Sequence, residues 1–79
     1  MNRVVSVKAK SNYVLALRFD DGLEGELCVR DRLHGPVFLP LNNTDLFNQV
    51  TVDPYGAICW PNKADMAPDG LYQDVLSKG

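Results

Sequence analysis

Asp65, Asp69, His34, Cys28 and Cys59 are side chains in this 79-residue chain whose types could do acid–base, nucleophilic or metal work. Asp65 and Asp69 could share a proton or hold a cation if a helix set their geometry. They fall, however, in a segment that reads as a polar corner, where a four-residue spacing carries no fixed geometry. Asp69 reads as a helix N-cap and Asp65 as a turn aspartate, each accepting backbone N–H bonds. His34 is the sole histidine. It precedes Gly35-Pro36 in a loop and has no identifiable acid–base partner, so it reads as a surface residue. A nucleophilic cysteine needs an activating base, and nothing in the sequence places the sole histidine near either thiol. The spacing of Cys59, His34 and Cys28 matches no zinc pattern. No catalytic residue, metal or cofactor is assigned, and the chain is not expected to be an enzyme.

The candidate binding residues are Trp60, Asn62, Lys63, Asp65, Met66 and Asp69. They lie within the stretch from Asp53 to Tyr72, which holds the sole tryptophan and three of the five prolines. Trp60 could stack on a nucleobase. Its strand parity, opposite Val50, instead makes it a core residue. Met66 has a flexible side chain that adapts to partners when exposed.

The elements that must position this corner follow from period-two patterns. Val5, Val7 and Ala9 share one face of a first strand. Tyr13, Leu15, Leu17 and Phe19 share a face of a second, and Leu23, Gly25, Leu27 and Val29 a face of a third. A three-residue loop Asp20-Asp21-Gly22 pairs Phe19 with Leu23 and Leu15 with Leu27, and sets Arg18 opposite Glu24. A two-residue turn would pair an apolar face with a charged one. Gly22 then takes the left-handed position. The same argument at Lys10-Ser11-Asn12 pairs Ala9 with Tyr13 and Val7 with Leu15, with Asn12 left-handed.

Beyond Val29 the alternation stops. Arg30–Leu33 predicts one helical turn, and His34-Gly35-Pro36 a break. Val37-Phe38-Leu39 reads as a covering segment or edge, limited by Pro40. Asn42 to Asp45 offers N-caps for a short helix whose core face carries Leu46, Phe47 and Val50. A loop Pro54-Tyr55-Gly56 pairs Val52 with Ile58 and Val50 with Trp60. Pro61 ends that strand. Asp69 caps a last helix with an apolar stripe of Leu71, Tyr72, Val75 and Leu76. The expectation is one α+β domain over residues 1–79, with an antiparallel sheet of about five strands: a three-strand N-terminal meander plus a C-terminal hairpin, covered by short helices.

A hydrophobic fraction of 46% is that of a folded domain. So short a chain buries only about 60–65% of its unfolded surface, which favours self-association or a partner as added support. A net charge of -2, with basic residues scattered, argues against direct nucleic-acid binding. Residues Met1 to Lys8 lack the apolar core of a signal peptide, and no apolar run reaches the roughly 20 residues of a membrane span. The expected setting is soluble and cytoplasmic, where free thiols are at home.

Several short motifs occur in order: Gly35-Pro36-Val37-Phe38, Phe47-Asn48-Gln49-Val50, Trp60-Pro61-Asn62, Ala64-Asp65-Met66-Ala67-Pro68-Asp69 and Leu71-Tyr72. Together they resemble the small bacterial family catalogued as domain of unknown function 2442, across nearly the whole chain. Lys63 stands where the family pattern usually has glycine. If that position takes a positive φ, lysine there costs about 1–2 kcal/mol. The family has no assigned enzymatic activity. Its members are often encoded beside another small protein, as toxin–antitoxin pairs are, and some relatives are fused to a helix-turn-helix domain. The resemblance implies a protein-binding or accessory module, an antitoxin-like partner of a small protein encoded nearby. Two other readings stand beside it: a small ligand-binding domain or enzyme using the Trp60–Asp69 corner, and a regulator acting with another DNA-binding chain.

Overall fold

The computed structural model describes residues 2–78; Met1 and Gly79, the ends of the expected domain, lie outside the described residues. Strands β1 (Val4–Lys10), β2 (Val14–Phe19) and β3 (Glu24–Cys28) form an antiparallel sheet in the order β1-β2-β3. The predicted register between β2 and β3 holds: Leu15 faces Leu27 and Arg18 faces Glu24. Phe19 N–H donates to the Leu23 carbonyl at 2.8 Å, and Gly22 closes the loop at φ 90. This register keeps Leu15, Leu17 and Phe19 on the buried side, each at most 3% exposed.

The β1–β2 hairpin differs from expectation by two residues. Ala9 faces Leu15 and Val7 faces Leu17, where Ala9–Tyr13 and Val7–Leu15 were predicted. The loop is Ser11-Asn12-Tyr13, and both Asn12 and Tyr13 have positive φ, 63 and 61. A two-residue slip leaves every side chain on its predicted face, so alternation alone cannot distinguish the registers. Tertiary contacts favour the observed one. The Tyr13 hydroxyl donates to the Asn42 carbonyl, and its ring meets Phe47 edge-on at 5.3 Å.

A bulge between Val4 and Ser6 is the second departure. It inserts Val5 as an extra residue and switches the face of the strand's start. Val4 becomes core at 2% exposure, while Val5, predicted inward, is 53% exposed.

The remaining strands do not extend the first sheet. β4 (Thr51–Val52), β5 (Ile58–Cys59) and β6 (Asp65–Met66) form a second three-stranded antiparallel sheet. The expectation of about five strands in one sheet is therefore corrected to two sheets of three strands. Val52 faces Ile58 as predicted. Asp53 Oδ1 accepts from the N–H groups of Tyr55 and Ala57, and Gly56 has φ 85. The two sheets meet where Val4 N–H donates to the Gly56 carbonyl at 2.9 Å.

The expected polar corner contains strand β6. Its loop, Pro61-Asn62-Lys63, repeats the hydrogen bonding of the Asp20-Asp21-Gly22 loop. Trp60 N–H donates to Ala64 O at 2.9 Å, Lys63 N–H donates to Trp60 O at 3.0 Å, and Lys63 takes φ 73. The position does require positive φ, and lysine fills it at a cost of about 1–2 kcal/mol.

Short helical segments connect the sheets. One turn spans Arg30–Arg32, as expected. Val37-Phe38-Leu39 is not an extended edge: helix α1 (Gly35–Phe38) begins with Pro36 in its first turn, and a further turn spans Leu39–Asn42. Proline at a helix start forfeits no hydrogen bond. Helix α2 (Thr44–Phe47) is capped by Asn43, whose side chain accepts from the N–H groups of Asp45 and Leu46. Helix α3 (Pro68–Lys78) begins one residue before Asp69. Asp69 is thus inside the first turn rather than the N-cap. Leu71 and Val75 are core as expected, whereas Leu76 is 49% exposed.

Helix α3 lies on β3 because Gly25 has no side chain. A Cβ there would sit 2.6 Å from Val75 Cγ1. A single cluster of buried residues joins the inner face of β2 to Ile58, Trp60 and Ala64 of the second sheet and to Phe47, Leu71 and Val75 of the helices. Each buried valine, leucine, isoleucine or phenylalanine among them stabilises the fold by about 1.5–3 kcal/mol through burial.

Candidate functional site

The six candidate residues divide into architecture, exposed surface and one groove. Trp60 is 3% exposed, and its Nε1 donates to the Phe47 carbonyl at 3.0 Å. That bond occupies the sole polar group of the indole and ties β5's end to α2, so Trp60 has no free face for stacking. Asn62 is also structural. Its Oδ1 accepts from Ala64 N–H within the loop, and its Nδ2 donates to the Val37 carbonyl at 3.0 Å. This second bond anchors α1 to the β5–β6 turn across 25 residues of sequence.

Lys63, Asp65 and Asp69 are exposed. Asp65 faces Cys59 across the β5–β6 pair, and Met66 faces Ile58. Successive strand residues point to opposite sides, so Asp65 and Met66 do not share a surface. Met66 is half-buried rather than freely exposed, and it packs against the core cluster.

Met66 lines a groove of about 270 Å³ with Arg32, Phe38, Ala67, Gly70 and Leu71. The walls are the Arg30–Arg32 turn and α1 on one side, and the β6–α3 junction on the other. Its lining is apolar apart from Arg32, whose guanidinium is ion-paired with Asp74 on α3. Lys63, Asp65 and Asp69 are not among its lining residues. Of the predicted corner, therefore, the structure brings Met66 alone into a concave site. Arg32, Phe38, Gly70 and Leu71 join it from parts of the chain that no local pattern connects. The nearest sequence signal was the apolar Val37-Phe38-Leu39 run, two of whose residues remain exposed: Val37 at 47% and Leu39 at 59%.

The groups considered for chemistry are dispersed. His34 is exposed at the residue before α1. Cys28 is an exposed free thiol close to the Asn12 carbonyl, and Cys59 is half-buried with Sγ 3.5 Å from Thr51 Oγ1. Among the described residues, no group of three or more His, Cys, Asp or Glu side chains could hold a metal ion. Among the same residues, no helix is long and apolar enough to cross a membrane.

Asp21 and Tyr72 are ionisable groups whose surroundings shift them. The Tyr72 hydroxyl donates to Asp21 Oδ2, while Leu23 N–H donates to Asp21 Oδ1. The tyrosine hydrogen bond, then the backbone one, hold the Asp21 carboxyl below its ordinary value. The same bond, followed by burial, raises the Tyr72 phenol. Hydrogen bonds to the charged acceptor account for both directions. The pair fastens α3 to the β2–β3 loop, and neither residue lines the groove, which makes it structural.

The molecule is a small α+β domain in which two three-stranded antiparallel sheets share one core with short helices. It belongs to the family described as Protein of unknown function (DUF2442), whose model matches residues 4–76. No curated protein and no solved structure matched the chain.

Proposed function

We propose that this chain is a non-catalytic accessory module that binds a small protein partner through the groove between Arg32–Phe38 and Met66–Leu71. The carrying observation is the groove itself. Its 270 Å³ falls just below the range of about 300–1,000 Å³ typical of small-molecule sites. That size suits one apolar side chain of a partner rather than a whole ligand. Val37 and Leu39, exposed beside Phe38 in the chain, supply apolar surface for the partner's flanking residues. Met66 lends the groove an adaptable wall. The family resemblance favours a partner encoded nearby, in the manner of an antitoxin-like protein. The free thiols suit a bacterial cytoplasm, and the negative net charge disfavours nucleic acid as the direct target.

Gly70→Leu tests the reading. Gly70 lines the groove and a Cβ there meets nothing within 4 Å, so the variant adds bulk at the groove wall without disturbing the core, and it removes a glycine from a helix. We expect unchanged or raised thermal stability, with affinity for the small protein encoded beside the gene reduced at least about tenfold, or 1.4 kcal/mol, by calorimetry. Unchanged affinity would remove the groove from the interface. Turnover of a metabolite by the purified chain alone would end the accessory-module reading.

A further inference from the structure

A second cavity, of about 410 Å³, opens between the Ser11-Asn12-Tyr13 loop and α2. It shares no lining residue with the groove above. We infer that it binds a small neutral polyhydroxylated ligand of the sugar or cyclitol class. Its volume lies within the usual range for small-molecule sites, about 300–1,000 Å³. Ser11, Asn12, Thr44 and Asn48 line it, all are exposed, and among the described residues none of their side chains is hydrogen-bonded within the chain. Each of these hydroxyls and amides both donates and accepts. That is the complement of ligand hydroxyls, which also do both. A phosphate or carboxylate would engage only the donors among them, and an ammonium only the acceptors.

Charge points the same way. Lys10 is the sole cationic lining residue, and Glu26 already neutralises it. Tyr13 contributes a half-buried ring, with its hydroxyl committed to the Asn42 carbonyl. The ring therefore offers an apolar wall beside the polar groups. The loop is held in an uncommon shape, with Asn12 and Tyr13 at φ 63 and 61. Consecutive non-glycine residues in the left-handed region persist where surrounding contacts over-determine them, and such residues cluster at ligand sites.

The test is an amide NMR titration of the full chain with glucose, N-acetylglucosamine and myo-inositol, repeated with the Thr44→Val/Asn48→Ala double variant. Both substitutions are at exposed positions, and matching thermal midpoints establish that the variant is folded. At least one polyol should give saturable shifts confined to Ser11–Tyr13 and Thr44–Asn48, with affinity reduced at least about tenfold in the double variant. Three outcomes would overturn the inference: no saturable shift with any of the three, equal binding by the folded double variant, or tighter binding of inorganic phosphate at the same amides.

Discussion

The hydroxyl of Tyr72 donates to the carboxylate of Asp21, joining the last helix to a hairpin loop 51 residues earlier in the chain. The Tyr72 ring also meets Phe19 edge-on, with centroids 5.0 Å apart. Packing and polar contact thus act at the same point. Helix α3 is held at the Gly25–Val75 approach and again at Tyr72.

The Asp21–Tyr72 pair makes stability depend on pH at two ends. Asp21 is lowered in the folded state, so its contribution is present above the ordinary value of 3.8 and is lost as pH falls through the folded value. Tyr72 is raised, so its contribution is present below the ordinary value of 10.0 and is lost as pH rises through the folded value. Thermal melts of wild type and Tyr72→Phe should differ most between these limits and converge beyond them. A difference that stays constant across the whole range would assign the effect to packing alone.

Gly25→Ala should destabilise the domain by about 1–3 kcal/mol, as inserting a methyl into a filled contact does. The new Cβ would fall 2.6 Å from Val75 Cγ1, and a β-branched side chain in a helix has little rotamer freedom to move away. Chemical denaturation should show part of the loss recovered in Gly25→Ala/Val75→Ala. Additive losses in the double variant would mean that Gly25 is required by its backbone and not by the helix above it.

Lys63 and Gly22 occupy equivalent positions of two similar loops, at φ 73 and 90. Replacing Lys63 by glycine should therefore stabilise the fold, by up to about 1 kcal/mol, after the flexibility of glycine offsets part of the relieved strain. Gly22→Val should do the reverse, costing at least about 1 kcal/mol, because a β-branched residue is poorly tolerated at positive φ. Equal denaturation midpoints for Lys63→Gly and wild type would show that the lysine backbone is not strained.

Alternation and loop chemistry were enough to read the β2–β3 and β4–β5 hairpins. In each, a glycine stands at the left-handed position and apolar residues occupy one parity; a one-residue error would bury charge in the first and turn Thr51 and Cys59 inward in the second. The β5–β6 hairpin carried neither signal. Its left-handed residue is lysine, and β6 is only Asp65–Met66, too short for a period to show. The face of β1's start was also unreadable, because the bulge at Val5 coincides with a contact from the second sheet, Val4 N–H to the Gly56 carbonyl, that no local pattern carries.

Sequence by itself determined the α+β class, the three-strand meander, the inward parity of Leu15, Leu17 and Phe19, and the burial of Trp60. These are local consequences of side-chain period and turn conformation, which each segment carries whatever its neighbours do. Tertiary structure alone decided that the strands divide between two sheets, that Ala9 faces Leu15 rather than Tyr13, and that Met66 meets Arg32, Phe38, Gly70 and Leu71 around a groove. Registers two residues apart bury the same faces, and groove walls come from segments distant in sequence. Only contacts such as Tyr13 with Asn42 and Phe47, or Arg32 with Asp74, separate those alternatives in energy.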